Sequence, residues 1–280
     1  VGLFVTSFVF VASAKEIPES IESAIKNVRQ NVGALVGIKD DANLTNEEKE
    51  VKKFEAAKDA LESVINLGLA EIAAFKEKLN EIEIEKLSAA DYTFDAEETH
   101  ENLQKMIGYY EAYHKDMLKR VELLSGYKDA QNLAKDIKNW RDKIYRPGIR
   151  KILSLELVLK NRDIINVANN RFDKILADLK KLKNAKLITL SSVEPLLDSI
   201  TGDKKATAAL DEEITIIILK ILKTPTPILE TSNKQKPEES LISDHKLISN
   251  LVEQSFLKVK DMYKAFIEIN ALVKKMIGIE

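Results

Sequence analysis

Apolar residues along this chain recur at alternating intervals of four and three, the pattern of helices that each bury one stripe against neighbours. Ile21, Ile25, Val28, Val32 and Leu35 set the first series, which begins after Pro18 and stops near Gly37, ahead of the polar stretch 39–43. Thr45 and Glu48 have the T-x-x-E spacing of a capping box. Val51, Phe54, Leu61, Ile65, Gly68, Ile72, Phe75, Leu79 and Ile82 then keep heptad register, with Lys58 the one polar member. That spacing predicts a helix over Asn46–Leu87, roughly 60 Å long at about 1.5 Å per residue. After a loop around Asp91–Asp95, the series Leu103, Ile107, Tyr110, His114, Met117, Val121 and Leu124 predicts an antiparallel return helix that Gly126 ends. Ala130, Leu133, Ile137, Trp140 and Ile144 carry the pattern on to Arg146-Pro147-Gly148. There Pro147 must break the helix, kink it, or begin the next one in its first turn.

The next helix starts at Ile149, and its later half reads Ile165, Ala168, Phe172, Ile175, Leu179 and Leu182, with an expected end at Asn184. Ser192 is placed to cap a following helix that tolerates Pro195 in its first turn. That helix has the weakest pattern, interrupted at Thr201-Gly202, until the apolar run Ile214–Leu222. The β-branched Ile216-Ile217-Ile218 is read as a buried helical turn, because no second such run exists to pair with it as a strand. Pro225, Pro227 and Pro237, among Thr, Ser, Asn, Gln and Lys, predict a linker over 223–240. From Leu241 the positions His245, Ile248, Val252, Ser255, Val259, Met262, Phe266, Ile269, Val273 and Met276 keep unbroken four-three alternation.

These series predict an all-α fold, an elongated antiparallel helical bundle of long, heptad-patterned, coiled-coil-like helices. Residues 15–222 are expected to form the bundle, 223–240 the linker, and 241–280 a C-terminal helix that packs back on the bundle. Residues 1–14 read differently. Val1–Val11 is apolar apart from Thr6 and Ser7, and Ala12-Ser13-Ala14 precedes the first charges, Lys15 and Glu16. This is the h-region and A-x-A site of a signal peptide that lacks its basic start, and it implies an exported, periplasmic or extracellular protein. The stretch is shorter than the ~20 apolar residues a bilayer-spanning helix needs.

Composition agrees with the helical reading: 9 glycines and 6 prolines in 280 residues leave few positions for turns between short strands. With 43 Lys plus Arg against 45 Asp plus Glu, no global positive field exists to attract nucleic acid, and no nucleic-acid partner is expected. Charge is uneven locally, since Lys174, Lys180, Lys181, Lys183 and Lys186 crowd one helix end, where they suit the macrodipole. The absence of cysteine removes disulfides, thiolate metal sites and cysteine nucleophiles together.

Two stretches, Tyr145-Arg146-Pro147-Gly148-Ile149 and Asn169-Asn170-Arg171-Phe172-Asp173-Lys174-Ile175-Leu176-Ala177-Asp178-Leu179, resemble uncharacterised exported helical proteins of small-genome candidate-phyla bacteria. The resemblance implies a helical fold and export. It brings no activity and no functional residue with it.

Chemistry is sparse. Neither G-x-G-x-x-G nor G-x-x-x-x-G-K-[ST] occurs, and neither G-x-S-x-G nor H-E-x-x-H does. Glu97/His100 and Glu111/His114 have the E-x-x-H spacing of carboxylate di-metal bundles, but both lie on one expected helix, about 21 Å apart, too far to share a centre. Met106 and Met117 read as core filler rather than haem ligands, and Tyr109, Tyr110 and Tyr113 as a bundle seam and its flank. No catalytic, cofactor-binding or metal residue is therefore assigned, and no cofactor is expected. The three histidines, His100, His114 and His245, fall on or extend apolar seams, where burial without a carboxylate partner favours the neutral imidazole.

The reading that follows is a non-enzymatic extracytoplasmic protein acting by protein–protein interaction or as an envelope spacer, with no stable membrane insertion. Two alternatives belong to other classes: a membrane-active bundle resembling pore-forming toxins, with Ile214–Leu222 as its concealed segment, and a metal-binding bundle. If residues 1–14 are a signal peptide, mass spectrometry of the protein recovered from outside the cytoplasm finds Lys15 at the N-terminus; Val1–Ala14 retained on the exported protein refutes it.

Overall fold

The computed structural model describes residues 18–40, 44–87, 94–224 and 237–278. The expected signal peptide and most of the expected linker lie outside these residues. The chain is an all-α helical bundle: α1 Glu19–Asp40, α2 Asn46–Glu81, α3 Ala96–Glu122, α4 Tyr127–Trp140, α5 Arg146–Asn184, α6 Glu194–Lys223 and α7 Pro237–Met276. Among the described residues there is no strand, and no helix is long and apolar enough to cross a membrane.

The chain separates into two compact units. The first contains α1, α2, α3 from His100, α4 and the chain through Ile149. Here α2 starts at the predicted capping box: Thr45 Oγ1 accepts from the Glu48 backbone at 3.3 Å, and the Glu48 carboxylate accepts from the Thr45 backbone at 2.9 Å. The sequence pattern shows one seam on this helix, whereas the fold uses two. Leu61 and Ile65 pack with Met117, Val121, Leu133 and Ile137. Ala60, Val64 and Leu67 pack instead with Ile21, Val28 and Val32 of α1. A helix with neighbours on two sides must bury a wider stripe than one heptad seam.

Four expectations are corrected here. Val51 is 55 % exposed, because the buried part of α2 begins only at Ala57. The helix ends at Glu81 rather than Leu87; Ile82 turns extended at ψ 118°, and a 3-10 turn follows at Ile84–Lys86. Ile84 in that turn and Leu87 just after it, three apart, are buried. Ser192 does not cap α6: Leu190–Ser192 is itself a 3-10 turn, and the fully buried Val193 stands at the cap with no side-chain bond. Finally, α7 begins at Pro237, inside the expected linker. Proline is suited to a first helical position because no intrahelical partner awaits its missing N–H.

Pro147 has a specific consequence. Between α4 and α5 the residues Arg141–Tyr145 form a π turn, with the Arg146 N–H bonded to the Arg141 carbonyl, and Pro147 follows in the first turn of α5. A π turn inserts one extra residue into the helical count and is a recognised way for a helix to absorb a disruption. The apolar seam therefore shifts by one: after Ile137 and Trp140, the buried residue is Tyr145 at 2 % exposure, while Ile144, the expected member, is only half-buried.

The second unit contains α5 from Arg150, α6 and α7. Asp173 pairs with Lys204, Arg162 with Asp211, and Lys151 with the carbonyl of Thr224, so falling numbers on α5 meet rising numbers on α6. These two helices are antiparallel. Ser154 meets His245 and Phe172 meets Phe266, so α5 and α7 run parallel. Of the described α7 seam, Ile248, Ser255, Val259, Met262, Phe266 and Ile269 are buried, whereas His245, Val252, Val273 and Met276 are only half-buried. Ile216-Ile217-Ile218 is helical within α6 as expected, but only Ile218 of the three is fully buried, with Ile214 and Leu219; Ile216 and Ile217 are half-buried, because a helix turns successive residues to different sides.

Close packing makes a glycine test of the first unit. A Cβ on Gly68 would overlap the His114 imidazole, whereas one on Gly33 meets nothing within 4 Å. Gly68→Ala is expected to cost about 1–3 kcal/mol by overpacking, and Gly33→Ala to gain about 0.5–1 kcal/mol by helix propensity. Urea unfolding monitored by circular dichroism reads both signs.

Candidate functional site

The first unit buries one carboxylate. Glu71 is the only charge between Leu67 and Phe75, and it is 5 % exposed. Arg141, the first residue of the π turn, brings Nη2 to 3.0 and 2.9 Å from its two oxygens. The Tyr145 hydroxyl, from the other end of that turn, donates to Oε2 at 3.0 Å. The guanidinium carbon also lies 5.0 Å from the centre of the Tyr145 ring. Taking two such ions out of water costs several kcal/mol each, and only good geometry with further hydrogen bonds offsets it. Burial, and then the Glu71 charge, hold the Tyr145 hydroxyl well above the ordinary phenol range, so it stays protonated and donates.

Aromatic rings close over this pair. Tyr113 stacks on Trp140 with centres 3.7 Å apart, and Tyr110 meets Trp140 and Tyr145 edge-on at 5.5 and 5.3 Å. The Tyr110 hydroxyl donates to the carbonyl of Ile144, inside the π turn, at 3.1 Å. Tyr109, Tyr110 and Tyr113 thus form the seam and flank the sequence predicts, folded around a tryptophan it did not connect to them. A Cβ on Gly148 would overlap that same Tyr110 hydroxyl.

His114 stands in the same core at 3 % exposure. Its Nδ1 is 2.9 Å from the Tyr110 carbonyl. A carbonyl only accepts, so Nδ1 carries a proton and donates it to this bond. Burial pushes its pKa down to about 4, against the Tyr110 hydrogen bond and aided by the nearby Arg141 charge. Glu111, its partner in the E-x-x-H spacing, is turned to Lys115 and lies 4.0 Å from Lys76. His100 Nε2 is 2.8 Å from the Gln104 amide, and Glu97 is exposed. The two E-x-x-H pairs are therefore not brought together, and no group of three or more His, Asp or Glu placed to hold a metal ion occurs among the described residues. Met106 and Met117 are both core residues, Met117 beside Leu61 and Val121.

The second unit has its own polar groups. Lys151, 2 % exposed, donates to the Thr224 carbonyl at the end of α6, and burial pushes its amine down to about 8. A cation there also meets the negative end of the α6 dipole. Arg162 binds Asp211 at 3.0 Å, Thr215 Oγ1 at 2.6 Å and the Lys86 carbonyl at 2.5 Å. Ser154 Oγ is 2.7 Å from Nδ1 of His245, whose pKa is lowered by burial and by Arg150. Ser154 is 1 % exposed, which leaves no space beside Oγ for a carbonyl carbon to approach.

A general base needs a lone pair within reach of a substrate proton, and a nucleophile needs an approach. The Glu71 oxygens are taken by Arg141 and Tyr145, and the Ser154 hydroxyl by His245. These constellations join helices: Glu71 ties α2 to the π turn, Arg162 and Lys151 tie α5 to α6, and Ser154 ties α5 to α7. Sequence reasoning missed all of them, because their partners are 49 to 91 residues apart. One signal was present, the lone acid in the apolar stretch Leu67–Phe75. Compared with family models, with curated proteins and with solved structures, the chain gives no match.

The His114 environment fixes a sign. Its folded pKa, about 4, lies below the ordinary value of 6.5, so between these values the unfolded chain binds the extra proton. The stabilisation is complete above pH 6.5 and is lost as pH falls through that window towards 4, an effect on the order of 3 kcal/mol. Urea unfolding at stepped pH is expected to show this loss, and His114→Leu to flatten it; an unchanged slope in the variant refutes the assignment.

Proposed function

We propose that this protein is a non-enzymatic helical interaction protein, working outside the cytoplasm through the outer faces of its helices. The observation that carries the reading is where its unspent apolar surface lies. Several interior polar groups are engaged with one another, Glu71, Arg162 and Ser154 among them. Large apolar side chains remain on the outside, among them Val51, Leu123, Val167, Phe256 and Ile267, each more than half exposed. Scattered exposed apolar residues are ordinary, but Phe256 and Ile267 share one face of α7, and apolar side chains grouped on one face are a usual mark of a contact surface. Export is supported by the apolar run Val1–Val11 and the A-x-A site alone.

Site-specific photo-cross-linking in the native cell tests the reading. A benzophenone amino acid at Val51, Leu123, Val167 or Ile267 is expected to yield a discrete protein adduct outside the cytoplasm from at least one position. Folded, exported protein that yields no adduct from any of the four overturns it.

A further inference from the structure

The parallel helices α5 and α7 leave a groove of about 420 Å³ on the second unit. Its walls come from Ile175 and Leu182 on one side and Tyr263, Ile267 and Val273 on the other, over a floor that includes Leu179 and Phe266. By helical periodicity Val167 stands on the α5 face that carries Arg171 and Ile175, and Phe256 on the α7 face that carries Tyr263 and Ile267. Val167 is 59 %, Phe256 53 % and Ile267 69 % exposed, so the apolar stripe continues beyond the groove along both helices.

Charge along the rims has one dominant sign. Arg171 lies over the Tyr263 ring at 5.3 Å and Lys174 follows it on α5; Lys260 and Lys274 flank the stripe on α7. None of these four has an ion-pair partner among the described residues, whereas the one acid lining the groove, Asp178, is already paired with Lys181. An apolar channel between two rows of unpaired cations is complementary to a rod with an apolar ridge and acidic shoulders. Ridge-into-groove packing is how a further helix adds to a bundle, and acids beside its ridge would meet the rim lysines as e and g residues do in coiled coils. A second copy of this face is a poor occupant, since it would set cation against cation. A flat anionic bilayer matches the charge and not the concavity.

We infer that the α5–α7 groove is a docking site for an acidic amphipathic helix of a partner protein. The inference rests on the interaction reading above and gives its partner a chemistry. Fluorescence anisotropy with the full chain at physiological salt tests it. The probe is a labelled peptide of about 21 residues with Leu at a and d and Glu at e and g, and its twin carries Lys in place of Glu. The acidic peptide is expected to bind at least about tenfold tighter than the twin. Lys174→Glu/Lys260→Glu should invert that preference while leaving the melting curve in place, and Ile267→Ser should weaken binding of the acidic peptide. Equal affinity for the two peptides, or a preference unchanged in the double variant, overturns the inference. So does co-sedimentation with phosphatidylglycerol vesicles that the acidic peptide does not compete away. Cross-links from Val51 or Leu123 with none from Val167 or Ile267 would sink the groove and spare the interaction reading; silence at all four positions sinks both.

Discussion

The first unit depends on a buried carboxylate that cannot be left alone. Glu71 enters the core on α2 and is satisfied only because a π turn presents Arg141 and Tyr145 to it from opposite ends. In an uninterrupted α-helix the seam after Trp140 would continue to Ile144. The extra residue of the π turn puts Tyr145 inward instead, and with it the hydroxyl that completes the Glu71 shell. Pro147, which cannot supply an intrahelical N–H, sits two residues past the turn, in the first turn of α5. The proline, the shifted register and the buried ion pair are thus mutually dependent. Each would be unfavourable without the other two.

Around that point the packing is tight enough to select residue size. Gly68 and Gly148 are required by the rings they face rather than by backbone conformation, since His114 occupies the space beside one and Tyr110 the space beside the other. Tyr110 in turn spends its hydroxyl on the π-turn carbonyl of Ile144 and its own carbonyl on His114. The histidine is a packed, neutral core residue. Its hydrogen bond runs within its own helix, and its second nitrogen faces Gly68.

The second unit solves a different problem with the same means. Three helices joined as antiparallel α5–α6 and parallel α5–α7 bury their common seam around Ala168, Phe172, Met262 and Phe266. Polar ties at Lys151, Arg162 and Ser154 fix which helix lies beside which. A three-helix arrangement covers the α6 side of α5 and α7 but leaves their outer channel open, and that channel keeps the unpaired cations. Arg162 and Asp211 pair in the interior, whereas Arg171, Lys174, Lys260 and Lys274 beside the channel have no ion-pair partner among the described residues, which separates what holds the unit together from what is available to a partner.

The all-α class, most helix boundaries and most members of the α3 and α7 seams were legible in the amino-acid pattern, because a helix that buries one stripe must repeat its apolar residues at the helical period. The capping box at Thr45 and Glu48 was legible for the same local reason, since both partners lie within one turn. What lay beyond the sequence was whatever depends on a second surface. The extra seam of α2 exists because α1 and the α3–α4 pair approach it from two sides. The inward turn of Tyr145 in place of Ile144 follows from a backbone insertion that spacing does not record. The exposure of Val51 and the pairing of Glu71 with Arg141, 70 residues on, were settled by which helices met where. Periodicity tells a residue which way it faces on its own helix, and only the assembled bundle decides what is there to meet it.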